Sequence, residues 1–204
     1  MKFIRSRSQR RSKSEGILVN KQFQNRFVRS GFVGLYQYCQ TRSDLASRVQ
    51  ISADWLLESR REARLGASVV KTAIALESLL IFAESESLAR SLSERAAFIL
   101  TPVPAMRHSI ARIISQFYDA RSGVVHGSKK KARRLSASLV ESVDRISLLL
   151  YLVIAANQKL WSNVDTLRTW CEDQRWGAPS SNVEVPFSRT YLRNAVTLSG
   201  VEGH

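Results

Sequence analysis

Cysteine is scarce in this chain of 204 residues, which contains only Cys39 and Cys171. Two cysteines are too few for a disulfide framework or for a structural zinc site built on several thiolates. Both lie among apolar residues, so we expect unreactive thiols in a reducing compartment.

Long apolar runs are also missing. The most apolar stretch, residues 146–156, is far shorter than the roughly 20 residues that a membrane-spanning helix needs. The basic N-terminus is not followed by an apolar segment of the kind that secretory signals contain. We therefore expect a cytoplasmic protein that does not associate with membranes, with residues 146–156 forming a buried core helix.

Acidic residues are outnumbered, 17 against 31 Lys and Arg, which gives a net charge of +14. The excess is concentrated in two places. Residues 1–30 carry nine basic residues and one acid, and residues 129–134 carry five basic residues and no acid. Clustered positive charge on an otherwise nearly neutral chain indicates a polyanionic partner, because Lys and Arg release counterions when they meet phosphates. The alternative is solvated tails that keep the protein soluble.

Helical spacing of apolar residues dominates residues 43–176. The clearest apolar stripe consists of Met106, Ile110, Ile113, Ile114 and Phe117. Ile113 and Ile114 are adjacent, and the other steps are three or four positions long. No internal repeat and no βαβ pattern is present. The predicted fold is all-α, a helical bundle of about five or six helices. We expect a helix over 43–63 with Ser43 as its N-cap, one after Gly66, the striped helix, and others over 86–100, 133–159 and 164–174.

The two flanks differ from this helical domain. Residues 1–42 are predicted to form a basic N-terminal arm, partly disordered because Arg or Lys alternates with Ser at its start. Residues 177–204 are predicted to form an irregular C-terminal tail. Within it, the alternation of Val183, Val185 and Phe187 suggests an extended segment that crosses the bundle.

RNA can be cleaved without a metal ion because its own 2′-hydroxyl serves as the nucleophile. The reaction needs a base, an acid for the leaving 5′-oxygen, and positive charge near the phosphorus. Histidine and arginine residues supply these functions, and Arg121 and His126 are such a pair. Five helical positions turn through about 140°, so we expect Gly123 to relax the helix between them. Spacing alone favours a capping arginine and a surface histidine.

The residues around the pair are more informative. Residues 113–127 (IISQFYDARSGVVHG) resemble the signature of the HEPN superfamily, in which an Arg, a small polar residue and a later His end a core helix. They are most similar to the ApeA-like branch, whose pattern is Tyr-Asp-x-Arg-Ser-x-x-Val-His-Gly. Residues 73–80 (AIALESLL) and 92–100 (LSERAAFIL) resemble the same branch in order and spacing. The resemblance covers residues 45–160, so residues 43–176 are expected to be a HEPN-like helical domain.

The resemblance implies a bundle that forms a homodimer, with two copies of the motif across a shared cleft. It also implies a metal-independent RNA endonuclease without a cofactor, serving anti-phage defence or a toxin–antitoxin system, with an antitoxin or a sensor protein as a further partner. His126 would be the general acid and base, Arg121 would bind and polarise the scissile phosphate, and Ser122 would support the motif. The two His126 side chains of the dimer would then act as base and acid.

Three residues are candidates for supporting roles. Tyr118 and Asp119 are placed to orient the motif, although a core-edge tyrosine and a helix-end aspartate explain them equally well. Glu77 lies among apolar residues and is expected to form a structural ion pair with Arg95 or Arg121. Otherwise, Arg95 is expected on an exposed helical face.

A basic run begins three residues after His126. We expect it to steer RNA into the cleft and to hold the backbone without reading sequence. The alternative is a solvated first turn of the next helix, where positive charge opposes the helix dipole. The predicted RNA-binding residues are Lys129, Lys130, Lys131, Arg133 and Arg134.

A second interpretation remains open. The chain is then a non-catalytic helical module that binds RNA or a partner protein through the same basic surface. The complete set of Arg121, Ser122 and His126 favours the nuclease. A DNA-binding regulator would need a recognition helix in a helix-turn-helix frame, which the sequence does not show.

Overall fold

The computed structural model describes residues 31–83, 87–128, 130, 133–178 and 182–197. Within these residues the chain forms eight α-helices and no strand, which confirms the predicted all-α bundle. The helices are α1 (Phe32–Cys39), α2 (Asp44–Arg60), α3 (Leu65–Leu80), α4 (Leu88–Leu100), α5 (Pro104–Val125), α6 (Ala137–Ala156), α7 (Val164–Arg175) and α8 (Arg189–Thr197).

Helix α6 is the centre of the bundle. It packs against α1 to α5 and against α8. It contains the run 146–156, most of which is buried, so the predicted core helix is confirmed. A helix that is apolar on every side is stable in water only when neighbours cover it all round. No helix of the described residues, α6 included, is long and apolar enough to cross a membrane.

The start of α2 follows the predicted signal. The Ser43 side chain accepts a hydrogen bond from the Ala46 N–H at 3.1 Å, which confirms the N-cap. Pro104 occupies the first turn of α5, where its missing N–H costs nothing. Gly66, in contrast, does not separate two helices as predicted, because it lies inside the first turn of α3. A Cβ there would lie 3.4 Å from Val124 Cγ1, an ordinary van der Waals contact with the end of α5.

The described part of the N-terminal flank contains a helix. Residues 1–30 lie outside the described residues, but the remainder of the predicted arm contains α1. Phe32, Leu35 and Cys39 pack against the core, and Tyr38 is buried. The i, i+3, i+7 spacing of the first three residues is a helical signal, which the neighbouring aromatic residues obscure.

The C-terminal flank is not an irregular tail throughout. Residues 182–188, which precede α8, contain no helix and no strand. The Asn157 side chain binds the backbone of Glu184 in this segment, with Nδ2 donating to the carbonyl and Oδ1 accepting from the N–H, each at 2.8 Å. Helix α8 then returns to the bundle and buries Leu192 and Ala195. The predicted segment crossing the bundle therefore leads into a helix that packs on α6.

The C-terminal end of α3 is bound by two arginines. Arg95 Nη1 donates to the Leu80 carbonyl at 2.6 Å, and Arg48 Nη1 donates to the carbonyls of Ser78 and Ile81 at 2.9 and 2.8 Å. Such carbonyls have no partner inside the helix and carry the negative end of its dipole. The expectation that Arg95 lies on an exposed face is wrong, because it is only 5% exposed.

A polar chain runs through the interface of α2, α3 and α6. Asp144 of α6 lies 3.3 Å from Arg60 Nε and accepts a hydrogen bond from the Thr72 hydroxyl at 3.3 Å. The hydroxyls of Ser59 and Thr72 are 2.6 Å apart, and those of Ser59 and Ser68 are 2.9 Å apart. Burial raises the pKa of the Asp144 carboxyl, and Arg60 only partly offsets this effect.

We expect Asp144→Asn to stabilise the protein at neutral pH. The pKa of Asp144 is higher in the folded chain than in the unfolded chain, so its contribution to stability is present at low pH and is lost as pH rises through the folded pKa. Asparagine mimics the protonated carboxyl, so the advantage of the variant should shrink as pH falls toward the unfolded pKa of about 3.9. Urea unfolding at several pH values measures this.

Glu141→Gln is the matched control for that measurement, because Glu141 lies one turn away on α6 and is half exposed in a pair with Arg145. We expect it to change the free energy of unfolding by less than about 0.5 kcal/mol. If Asp144→Asn were less stable than the wild type at neutral pH, the ion pair with Arg60 would outweigh the cost of burial.

Candidate functional site at the end of helix α5

The motif that contains Arg121, Ser122 and His126 lies at the C-terminal end of helix α5. The helix is regular through Val125, so the expectation that Gly123 relaxes it is wrong. The chain leaves the helix at His126, whose N–H binds the Ser122 carbonyl at 3.0 Å. Gly127 follows with φ of 69°, a left-handed conformation in which glycine commonly ends helices. The break therefore falls after the histidine rather than between the arginine and the histidine.

Glu77, Tyr118 and Arg121 form a cluster between α3 and α5. The Tyr118 hydroxyl lies 3.2 Å from Glu77 Oε1 and 3.2 Å from the Ala73 carbonyl, and Arg121 Nη2 lies 3.7 Å from the same Glu77 oxygen. Burial, together with the Glu77 carboxylate, raises the pKa of Tyr118 far above its usual range. The tyrosine is therefore a hydrogen-bond donor at any physiological pH, and of the two predicted partners for Glu77, the structure places Arg121 beside it.

Arg121 interacts only weakly with the other residues of this cluster. Its distance of 3.7 Å to Glu77 exceeds that of a hydrogen bond, so the pair is held by charge. Its side chain is 25% exposed, and its buried Nε has no hydrogen-bond partner among the described residues. A guanidinium has five N–H donors, so this arrangement retains capacity to bind an anion at the surface.

His126 and Ser122 also lie at the C-terminal end of α5. His126 is exposed, and Ser122 is half-buried. Among the described residues, no hydrogen bond joins His126 to Arg121. Because α5 stays helical, their directions around its axis differ widely. A single chain thus places the predicted catalytic residues at one end of α5 without a hydrogen bond between Arg121 and His126.

The basic run reaches the motif through Arg134, which lies 3.5 Å from Asp119 on α5. Both side chains are at least half exposed, so the pair contributes little stability. Lys130 and Arg133 are also exposed, while Lys129 and Lys131 lie outside the described residues. Helix α6 begins only at Ala137, with Ser136 as its N-cap, so the run precedes that helix. The expected conflict with the dipole of α6 is therefore weaker than predicted.

Sequence reasoning missed a cavity on the other side of the bundle. It has a volume of about 510 Å³ and lies between the α4–α5 connection and the C-terminal flank. Arg189 and Arg193 of α8 are on its lining. Their spacing of four residues is typical of one face of a helix. The C-terminal flank was nevertheless predicted to be an irregular tail, so this helix was not predicted.

The end of α5 offers a limited set of chemical groups in each chain. They include one imidazole, one guanidinium, the carboxylates of Glu77 and Asp119, the hydroxyls of Tyr118 and Ser122, and the exposed basic side chains after it. Among the residues that the structure describes, no group of three or more His, Cys, Asp or Glu could hold a metal ion. One imidazole can serve as base or as acid at a given moment, so a reaction that needs both requires a second donor.

Comparisons of the chain with protein-family models, with curated proteins and with solved structures give no match. The resemblance to the HEPN superfamily accordingly rests on the motif around Arg121 and His126 and on the two upstream segments.

We expect Tyr118→Phe to cost about 0.5–1.5 kcal/mol of unfolding free energy, because it removes the one hydroxyl proton that Glu77 Oε1 and the Ala73 carbonyl share, while that carbonyl keeps its partner within α3. Glu77→Gln keeps an acceptor for the hydroxyl and should cost less. A double-mutant cycle by denaturant unfolding gives the coupling energy of the pair. Coupling near zero would show that the hydroxyl is held by Ala73 alone.

Proposed function

We propose that the protein is a metal-independent RNA endonuclease of the HEPN type that acts in the cytoplasm as a homodimer. Its setting is anti-phage defence or a toxin–antitoxin system, with an antitoxin or a sensor protein as its regulator. The observation that carries the proposal is the shared location of Arg121, Ser122 and His126 at the C-terminal end of α5, where Arg134 pairs with Asp119. An exposed helix end that combines an imidazole with several cations suits a phosphodiester substrate.

The reaction is a transfer within the RNA. The imidazole of one His126 removes the proton of a 2′-hydroxyl, whose oxygen forms a bond to the adjacent phosphorus. The bond from phosphorus to the 5′-oxygen breaks, and the imidazolium of the partner subunit's His126 donates its proton to that oxygen. Arg121 stabilises the extra negative charge on the phosphate oxygens. The products are a 2′,3′-cyclic phosphate and a 5′-hydroxyl.

The contacts of Arg121 give a physical role to the supporting residues. The Glu77 carboxylate attracts the guanidinium, and the Tyr118 hydroxyl in turn fixes Glu77. A phosphate that approaches the exposed part of Arg121 meets a cation whose position is already restricted, which lowers the entropy lost on binding. Arg134 and its exposed neighbours add attraction that is independent of sequence and sensitive to salt.

Incubation of the protein with end-labelled RNA in EDTA tests the proposal. We expect cleavage that is unaffected by the chelator, with products that end in a 2′,3′-cyclic phosphate. Mass spectrometry of the product termini distinguishes these ends from the 3′-hydroxyl left by most two-metal nucleases. Cleavage that EDTA abolishes would contradict the proposal.

The alternative, a non-catalytic RNA-binding or protein-interaction module, is favoured by the attachment of Arg121 to Glu77. An arginine in that role joins α5 to α3. The same assay separates the two functions, because the module binds RNA in a gel-shift experiment and leaves it intact at every pH and on every RNA tested.

A further inference from the structure

The cavity beside the C-terminal flank has the features of a ligand site. Its volume of about 510 Å³ falls within the range of about 300–1,000 Å³ that is typical of small-molecule pockets. Its lining is mostly apolar and includes Phe98, Met106, Val183, Val185 and Leu192. These side chains come from α4, α5, the segment 182–188 and α8, so the cavity is formed by four separate parts of the fold.

The charge on the cavity lining has one sign. Arg189 and Arg193 lie four residues apart on α8, hence on one face of it, and the lining contains no acidic side chain. Neither guanidinium has an ion-pair partner among the described residues. Arg189 also stands at the N-terminal end of α8, where the helix dipole disfavours a cation and favours an anion.

The walls of the cavity are held in place by contacts behind them. The guanidinium of Arg107 stacks on the Phe98 ring, 4.9 Å from its centroid, and binds the Thr101 carbonyl at 2.7 Å and Gln174 at 3.2 Å. On the wall that contains Val183 and Val185, Asn157 binds the backbone of Glu184, the residue between them. A preformed apolar cavity binds a ligand at a lower entropic cost than a flexible surface.

We propose that this cavity binds a small amphiphilic anion, a free monocarboxylate with an unbranched apolar chain. The chain occupies the apolar interior, and the carboxylate binds Arg189 and Arg193, since guanidinium groups and carboxylates match in geometry. The inference does not depend on the ribonuclease proposal. Met106 of the cavity and His126 lie 20 residues apart along α5, which corresponds to about 30 Å.

Calorimetric titration of the full chain with decanoate, below its micelle concentration, tests the proposal. We expect saturable one-to-one binding, and in the double variant Arg189→Ala/Arg193→Ala a dissociation constant at least about tenfold higher, as the loss of charge-assisted hydrogen bonds implies. Decanol lacks the charge, so its weaker binding should be the same in both proteins.

Two further variants keep the test specific. Arg61→Ala/Arg64→Ala removes the same charge from exposed positions that do not line the cavity, and decanoate should bind it as it binds the wild type. Val185→Trp fills the cavity from a partly exposed position and should abolish binding of both ligands. The proposal is overturned if the wild type does not bind decanoate, or if the Arg189/Arg193 and Val185 variants bind it with unchanged affinity.

Discussion

His126→Ala is expected to lower the rate of RNA cleavage by at least about 10²–10⁴-fold, because it removes the group that transfers protons in the proposed reaction. The side chain is exposed at the end of α5, and its backbone N–H, which binds the Ser122 carbonyl, is unchanged by the substitution. The free energy of unfolding should therefore change by less than about 0.5 kcal/mol. Rates on labelled RNA, with circular dichroism to verify the helical content, measure both effects.

His108→Ala is the matched control. His108 is also exposed and lies on the same helix, four residues from its start, so the substitution removes an identical group at a distance from the motif. We expect the variant to cleave RNA as the wild type does, and both histidine variants to bind RNA with similar affinity. A His126→Ala variant that retains full activity would exclude the histidine as the acid or base.

Mixing experiments test whether one active site needs residues from both subunits. If one cleavage event needs His126 from both subunits, only dimers with two wild-type chains are active, so activity should fall with the square of the wild-type fraction when chains are exchanged with the His126→Ala variant. A linear decrease would show that each chain works alone. The question follows from the structure, because one chain supplies a single imidazole at the end of α5.

The helical core was predictable because each of its signals is local. The stripe on α5 and the Ser43 N-cap depend on residues within a turn or two of each other, and both are found as predicted. The short helices α1 and α8 were not predicted, since their apolar residues are few and gain stability from packing on α6. Tertiary contacts of this kind leave little trace in a window of sequence.

The candidate site was predictable to a similar extent. Sequence proximity alone places Arg121, Ser122 and His126 at one helix end, and a lone acid in an apolar helix led to the pair of Glu77 with a cation. The break at Gly127 instead of Gly123 was not foreseen, because both glycines are compatible with a helix end and only the surrounding packing selects one. The buried position of Arg95 depends on a contact between α3 and α4.

Loss of this contact between Arg95 and the end of α3 is expected to have the second large effect, a decrease in the free energy of unfolding. Arg95→Ala should cost about 3–5 kcal/mol, a large part of the 5–15 kcal/mol typical of a domain. The arginine donates to the Leu80 carbonyl at 2.6 Å, and its guanidinium lies 4.2 Å from the centroid of the Phe82 ring. A hydrogen bond from a charged donor contributes about 1.5–3 kcal/mol, and a desolvated cation–π contact about 2 kcal/mol.

Two variants on the same helix make the expectation specific. Arg95→Lys retains a donor for the carbonyl and loses the planar group that stacks on Phe82, so its loss of stability should be intermediate. Arg90→Ala removes a guanidinium that is 75% exposed and that pairs, among the described residues, with Glu94 of the same helix, and should cost less than about 0.5 kcal/mol. Denaturant unfolding of the three variants gives the order. If Arg95→Ala proved as mild as Arg90→Ala, the carbonyls at the end of α3 would be satisfied by Arg48 and by water, and the buried guanidinium would add no net stability.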